Sequence, residues 1–158
     1  MNMLSGMKPM KSGSEQSEQA AARLNQIATR LLRLARSPAR NAGLSSAQYS
    51  AMGVIFQRPG ISLVELAEHE AVRHPTMSRL VRALIQSELV RKSANEGDRR
   101  ANHLELTAAG RKKYLLASER RIALFRLVLS RLSPGAREEV LSVAESMAEL
   151  VAPHSEES

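Results

Sequence analysis

The run Ser62-Leu63-Val64-Glu65-Leu66-Ala67-Glu68-His69-Glu70-Ala71-Val72-Arg73-His74-Pro75-Thr76-Met77-Ser78-Arg79-Leu80-Val81-Arg82-Ala83-Leu84 decides the fold. Ser62 and Glu65 have capping-box spacing: a serine hydroxyl takes the N3 amide and the carboxylate reaches back to the N-cap amide. They open a short helix to about Glu70, with Leu63, Leu66 and Ala67 on its inner face. Pro75 then stands where a first helical residue is expected, since no helix needs an N–H donor there. Met77, Leu80, Val81 and Leu84 recur at helical spacing along one side of the helix that Pro75 opens. Two short helices joined by a few residues make a helix-turn-helix.

Working outward, Ser45 and Gln48 form a second capping box, opening a helix that carries Tyr49, Met52, Ile55 and Phe56 and ends near Arg58-Pro59-Gly60. Upstream, Leu24, Ile27, Ala28, Leu31, Leu34 and Ala35 predict a long amphipathic helix from about Gln16 to Arg36. Ser37-Pro38 is expected to break it, with Asn41-Ala42-Gly43 as a loop. Downstream, Val90–Ser93 and His103–Leu106 read as two short strands around a polar turn, Ala94–Asp98. Thr107 caps a helix to about Leu132, with Leu115, Ile122, Phe125, Leu129 and Leu132 on one side. Ser133-Pro134 starts a last helix, striped by Val140, Ala144, Met147 and Val151.

The expected fold is therefore mainly α: a winged helix-turn-helix with a small β-hairpin wing, and terminal helices forming a dimerisation region. The expected division is a mobile tail at 1–15, dimerisation helices at 16–43 and 107–152, a DNA-binding domain at 44–106, and a C-terminal tail at 153–158. The terminal apolar stripes exceed what a small winged domain needs, and a second copy of the chain is the simplest partner.

Composition narrows the function. The 158 residues carry 23 Lys and Arg against 16 Asp and Glu, a net charge of +7 that favours a polyanionic partner, nucleic acid before an acidic membrane surface. Tyr49, Phe56, Tyr114 and Phe125 are the only aromatic residues, so the core is aliphatic and suits packed helices. The absence of cysteine excludes disulfides, thiolate zinc sites and thiol-based redox sensing, and fits a cytoplasmic protein. No apolar run reaches the roughly 20 residues of a membrane span. The first residues lack the apolar core of a signal peptide.

The helix from His74 onward presents Thr76, Ser78, Arg79 and Arg82 away from its apolar side. Short hydroxyls and backbone amides at a helix start meet phosphates or base edges. Arg79, one turn further in, can span guanine O6 and N7 with its fork. On an isolated helix such a face is ordinary solvated surface; the preceding helix and following hairpin make it a recognition helix. The hairpin supplies Asp98, Arg99 and Arg100. An arginine-tipped ribbon fits the minor groove, and a carboxylate beside it can hold the guanidinium in orientation. From Arg73 to Arg100 there are seven basic and three acidic residues, more than half of the chain's whole excess.

The run Leu84-x-x-x-x-Leu89-Val90-Arg91, then Asp98-Arg99-Arg100 and Leu104-x-Leu106-Thr107-x-x-Gly110, resembles the MarR family of winged-helix regulators from about Gln16 to Ala152. Pro75-Thr76-Met77-Ser78-Arg79 is similar to the SlyA branch. The resemblance implies a homodimer with interlocking first and last helices on a pseudo-palindromic operator in double-stranded DNA. It implies major-groove roles for Pro75, Thr76, Ser78 and Arg79, a minor-groove role for Arg100 held by Asp98, and phosphate contacts for Arg82 and Arg99. It also implies a small anionic or phenolic ligand whose binding lowers operator affinity. One position departs from the family: glycine usually comes after the recognition helix, and here Glu88 stands there. A left-handed residue that is not glycine costs about 1 kcal/mol, so either the turn is altered or the strain is tolerated.

Other chemistry finds little support. His69, His74, His103 and His154 are scattered without zinc spacing, and read as solvated surface residues, His74 adding to a DNA contact. Neither a Gly-x-Ser-x-Gly elbow nor a P-loop occurs, so no enzyme, cofactor or metal is expected. The expected function is a ligand-responsive repressor. The alternatives are a winged-helix protein-interaction module or an anti-silencing activator without a ligand. A protein-binding module has less need of arginine at both helix and wing.

Overall fold

Helix ends explain most of the architecture. The structure is a computed structural model describing residues 13–95 and 98–151, apart from the side chains of Ser37, 94–102 and Val151. Its elements are α1 (Gly13–Asn41), α2 (Ser46–Gln57), β1 (Ile61–Ser62), α3 (Leu63–His69), α4 (His74–Gln86), β2 (Val90–Asn95), β3 (Asp98–Leu106), α5 (Ala108–Leu129) and α6 (Pro134–Val151). Both expected capping boxes are closed. The Ser45 hydroxyl accepts from the Gln48 amide while Gln48 Oε1 accepts from the Ser45 amide, and Ser62 and Glu65 repeat the pattern.

Three helices end in the same way. At the end of α1 the Leu44 amide donates to Ala39 and the Gly43 amide to Arg40, with Gly43 left-handed at φ 69°. After α3 the same pair of bonds runs from Val72 to Ala67 and from Ala71 to Glu68. After α4 it runs from Leu89 to Leu84 and from Glu88 to Ile85. Each is a Schellman motif, which satisfies carbonyls the helix leaves without partners. Only the first has glycine at the left-handed position; Ala71 (φ 51°) and Glu88 (φ 56°) hold the other two. At Glu88 the turn is therefore kept and the strain tolerated. Leu84 and Leu89, both buried, supply the apolar contact that accompanies such a cap.

The core lies under α2, α3, α4 and the sheet. It comprises Leu44, Met52, Ile55, Leu66, Met77, Val81, Leu84, Val90 and Leu104, with Ala117 from α5. Each large side chain fully buried there contributes about 1.5–3 kcal/mol. Tyr114 of α5 packs on Tyr49 and Phe56 of α2, with ring centroids 5.3 and 5.1 Å apart. Burial, and after it the neighbouring Tyr49, raises the Tyr114 phenol above its ordinary value.

Four expectations are corrected. Ser37-Pro38 does not break α1, which continues to Asn41 with Pro38 inside it. Proline removes one amide donor, but the Ala42 amide bonds to the Pro38 carbonyl and the Schellman turn closes the end. Residues 13–15 belong to α1 rather than to a tail; 1–12 and 152–158 lie outside the described residues. The hairpin is part of a three-stranded antiparallel sheet ordered β1-β3-β2. Ile61 pairs with Leu104 and Ser62 with His103; two residues are too few to display strand alternation. The hairpin strands are also longer than expected, so Asp98 lies in β3, opposite Asn95, rather than in the turn. The chain divides into two units, up to Ala35 and from Arg36 onward, and the winged assembly belongs to the second.

Candidate nucleic-acid interface

The recognition-helix residues lie on one exposed face. Met77, Val81 and Leu84 bury the inner side of α4, at 2%, 3% and 0% exposure, which turns the opposite side outward. His74, Pro75, Thr76, Arg79 and Arg82 are exposed on it and Ser78 is half-buried. Among the described residues neither Arg79 nor Arg82 makes an ion pair. Arg73 is the N-cap; it is exposed and makes no side-chain cap bond. It adds a cation at the helix start beside the expected contacts. Its position just before His74 was the available sequence signal.

The turn ahead of α4 is braced from α2. Ser50 Oγ donates to Glu70 Oε1 at 2.9 Å, holding the residue before left-handed Ala71. Behind α4, β2 and β3 pair Val90 with Leu106, Arg91 with Glu105, Lys92 with Leu104 and Ser93 with His103. A register shift follows between Ser93 and Asn95. Arg91 donates through Nε and Nη2 to Glu105 Oε2, at 3.1 and 2.8 Å. Those bonds hold the Glu105 carboxyl below the usual carboxylate range. Arg91 is thus neutralised within the sheet, and the free positive charge of the helix-and-hairpin segment is smaller than a count of its arginines implies. Asp98, Arg99 and Arg100 are carried by β3, but their side chains, and the expected Asp98–Arg100 pair, lie outside the described residues.

His103 departs from the solvated reading. It is half-buried, with Nδ1 in a hydrogen bond with the Gly60 carbonyl. Gly60, left-handed at φ 89°, donates its amide to Leu104, so the bond closes the β1 edge of the sheet. Met52 is fully buried, and Tyr49 packs on Tyr114 with the Arg121 guanidinium 5.2 Å from its ring centre.

A helix-turn-helix, preceded by a capped helix and followed by a hairpin packed on the same core, is a winged helix. Residues 44–101 match the MarR family model. The matched stretch takes in α2, β1, α3, α4, β2 and the start of β3. The likeness of fold to solved structures runs beyond that stretch. MarR of Staphylococcus aureus in complex with salicylate and kanamycin superposes with a TM-score of 0.72, at 20% identity over 86% of this chain and 92% of that one. A point mutant of S. aureus MepR bound to an oligodeoxyribonucleotide gives 0.61, at 19% identity over 82% and 96%. YusO of Bacillus subtilis gives 0.63, at 24% identity over 89% and 97%. No curated protein matches the chain in sequence. Among the described residues no helix is long and apolar enough to cross a membrane.

Proposed function

We propose that the chain is a sequence-specific DNA-binding transcriptional regulator that acts as a homodimer on a pseudo-palindromic site. One observation carries this reading. The α4 helix buries one side completely and leaves Thr76, Arg79 and Arg82 exposed on the other, free of ion pairs among the described residues, ahead of an arginine-bearing hairpin. A buried inner face fixes the helix, and unpaired guanidinium groups lose little by meeting phosphates or guanine edges. The MepR relative bound to an oligodeoxyribonucleotide supports a DNA partner for this fold. Arg79 reads a base, Arg82 and Arg99 meet phosphate, and Arg100, oriented by Asp98, enters the minor groove. Residues 44–106 are the DNA-binding domain; 16–43 and 107–152 are the dimerisation helices. The likeness of Pro75–Arg79 to the SlyA branch belongs to this proposal.

A second copy accounts for the apolar surface of α5 and α6. Ile122, Leu127, Val140, Leu141 and Leu150 are 53%, 62%, 42%, 60% and 78% exposed. Burying such residues provides the main drive for association. A small anionic or phenolic ligand that weakens DNA binding is the regulatory part of the proposal, supported by the salicylate in the S. aureus MarR complex.

The test is selection from a pool of randomised duplexes with the full chain. The expected result is an inverted repeat whose half-sites lie about one helical turn, ~10 base pairs, apart. Binding without sequence enrichment would reduce the chain to a basic protein with a winged fold.

A further inference from the structure

We propose that Thr107 is a positioning residue for DNA recognition: its one hydroxyl fastens the exit of α4 to the first turn of α5 and so fixes how the recognition helix is presented. The inference rests on the DNA-binding reading and deepens it.

An N-cap threonine needs only to accept a hydrogen bond from its own helix. Thr107 does this, taking the Gly110 amide at 2.9 Å. It also does something capping does not require, donating the same hydroxyl to the Glu88 carbonyl at 2.6 Å. A hydroxyl has one proton and two lone pairs, so the two bonds use separate capacities and do not compete. The Thr107 amide adds a third bond, to the Leu89 carbonyl at 3.1 Å.

All three partners are backbone atoms. No flexible side chain intervenes between the end of α4, the start of β2 and the start of α5. Glu88 is also the left-handed residue of the α4 cap, the most strained point of that exit. At the other end of α4, Arg73 makes no side-chain cap bond. The Ser50–Glu70 bond braces the turn ahead of α4 rather than the helix itself, whereas the Thr107 hydroxyl acts on the α4 cap directly, and a small rotation there is magnified at Thr76 and Arg79.

Two substitutions separate this role from simple capping. Aspartate caps a helix as well as threonine but cannot donate a proton to Glu88, whereas serine retains both bonds. Thr107→Asp and Thr107→Ser are compared with wild type in the full chain, with Thr107→Val in parallel should the aspartate variant unfold. The first reading is amide exchange at Glu88 and Leu89. About tenfold faster exchange is expected in Thr107→Asp or Thr107→Val, and no change in Thr107→Ser. The second is the ratio of affinities for the selected duplex and a scrambled one, in which the added charge largely cancels. The ratio is expected to fall about tenfold in Thr107→Asp or Thr107→Val and to stay within about twofold in Thr107→Ser. Unchanged exchange in both hydroxyl-lacking variants overturns the tether whatever the DNA result. Faster exchange with an unchanged ratio overturns the positioning role alone. A wild-type chain that shows no discrimination overturns the DNA-binding reading and the positioning role with it.

Discussion

Gly110 lies so close to the carbonyl of Leu89 that a Cβ placed on it would stand 1.9 Å from the oxygen. The obstacle is backbone, held in place by the Thr107 amide, and cannot swing aside. The Gly110→Ala change must therefore part α5 from the start of β2. It is expected to destabilise the chain by about 3 kcal/mol, the upper range of overpacking effects, with the urea midpoint as the measure. A loss below about 0.5 kcal/mol would show that this approach is not needed for the packing.

The left-handed residues Ala71 and Glu88 invite the opposite change. Glycine relieves the Cβ conflict, at some cost in unfolded-chain entropy. Glu88→Gly and Ala71→Gly should each stabilise the protein by about 0.5–1 kcal/mol, read as a rise in Tm. Gly43→Ala, the reverse change at the equivalent position of α1, should lower it. A fall in Tm for both glycine variants would mean that the positive φ angles carry no strain.

Glu65 gives stability a dependence on acid pH. Its carboxylate accepts from the Ser62 hydroxyl and amide, which lowers its pKa against a smaller opposing effect of burial; His103 and Arg58 lower it further. A carboxyl depressed in the folded state binds its proton more readily when unfolded. Its contribution is thus full above the unfolded value and is lost as pH falls through the folded one. Glu65→Gln should flatten the decline in stability below about pH 5, measured by urea unfolding across pH. Parallel declines in the two proteins would remove Glu65 as a cause.

Much of this was legible from side-chain chemistry alone. Ser45–Gln48 and Ser62–Glu65 state their capping boxes in sequence, and both are closed in the structure. The spacing of Met77, Val81 and Leu84 gives the buried side of α4 and hence its outer face. The left-handed turn at Glu88 was legible only through a family pattern. Its counterpart at Ala71 was not, because alanine ordinarily signals helix and only the two turn bonds force its φ. β1 was hidden by its length, since its partners in β3 lie some forty residues away in sequence. Pro38 misled because a proline is tolerated where later carbonyls still find donors. The link from Thr107 to Glu88 joins atoms that no periodicity brings together.

The last prediction separates the roles of the arginines. Arg79 sits one turn into α4, exposed and without an ion pair among the described residues. Arg79→Ala should therefore cost about 1–3 kcal/mol and relax preference at one position in each half-site. Arg82, a further turn fraction along, should meet phosphate. Arg82→Ala should then weaken all sequences alike and reduce the salt slope by about one. Arg100→Ala should weaken binding most where the flanks are A·T-rich, since a narrow minor groove concentrates negative potential. Asp98→Ala sets two arguments against each other. Charge alone says that losing a carboxylate near DNA tightens binding; orientation of Arg100 by Asp98 says that it weakens it. Weaker binding is the expected outcome. The measurement is titration of the four variants against duplexes differing at the centre and in the flanks, at one salt concentration and then across a salt series. Equal losses for Arg79→Ala and Arg82→Ala on every sequence would make both of them phosphate contacts, and base reading would then have to lie elsewhere on α4.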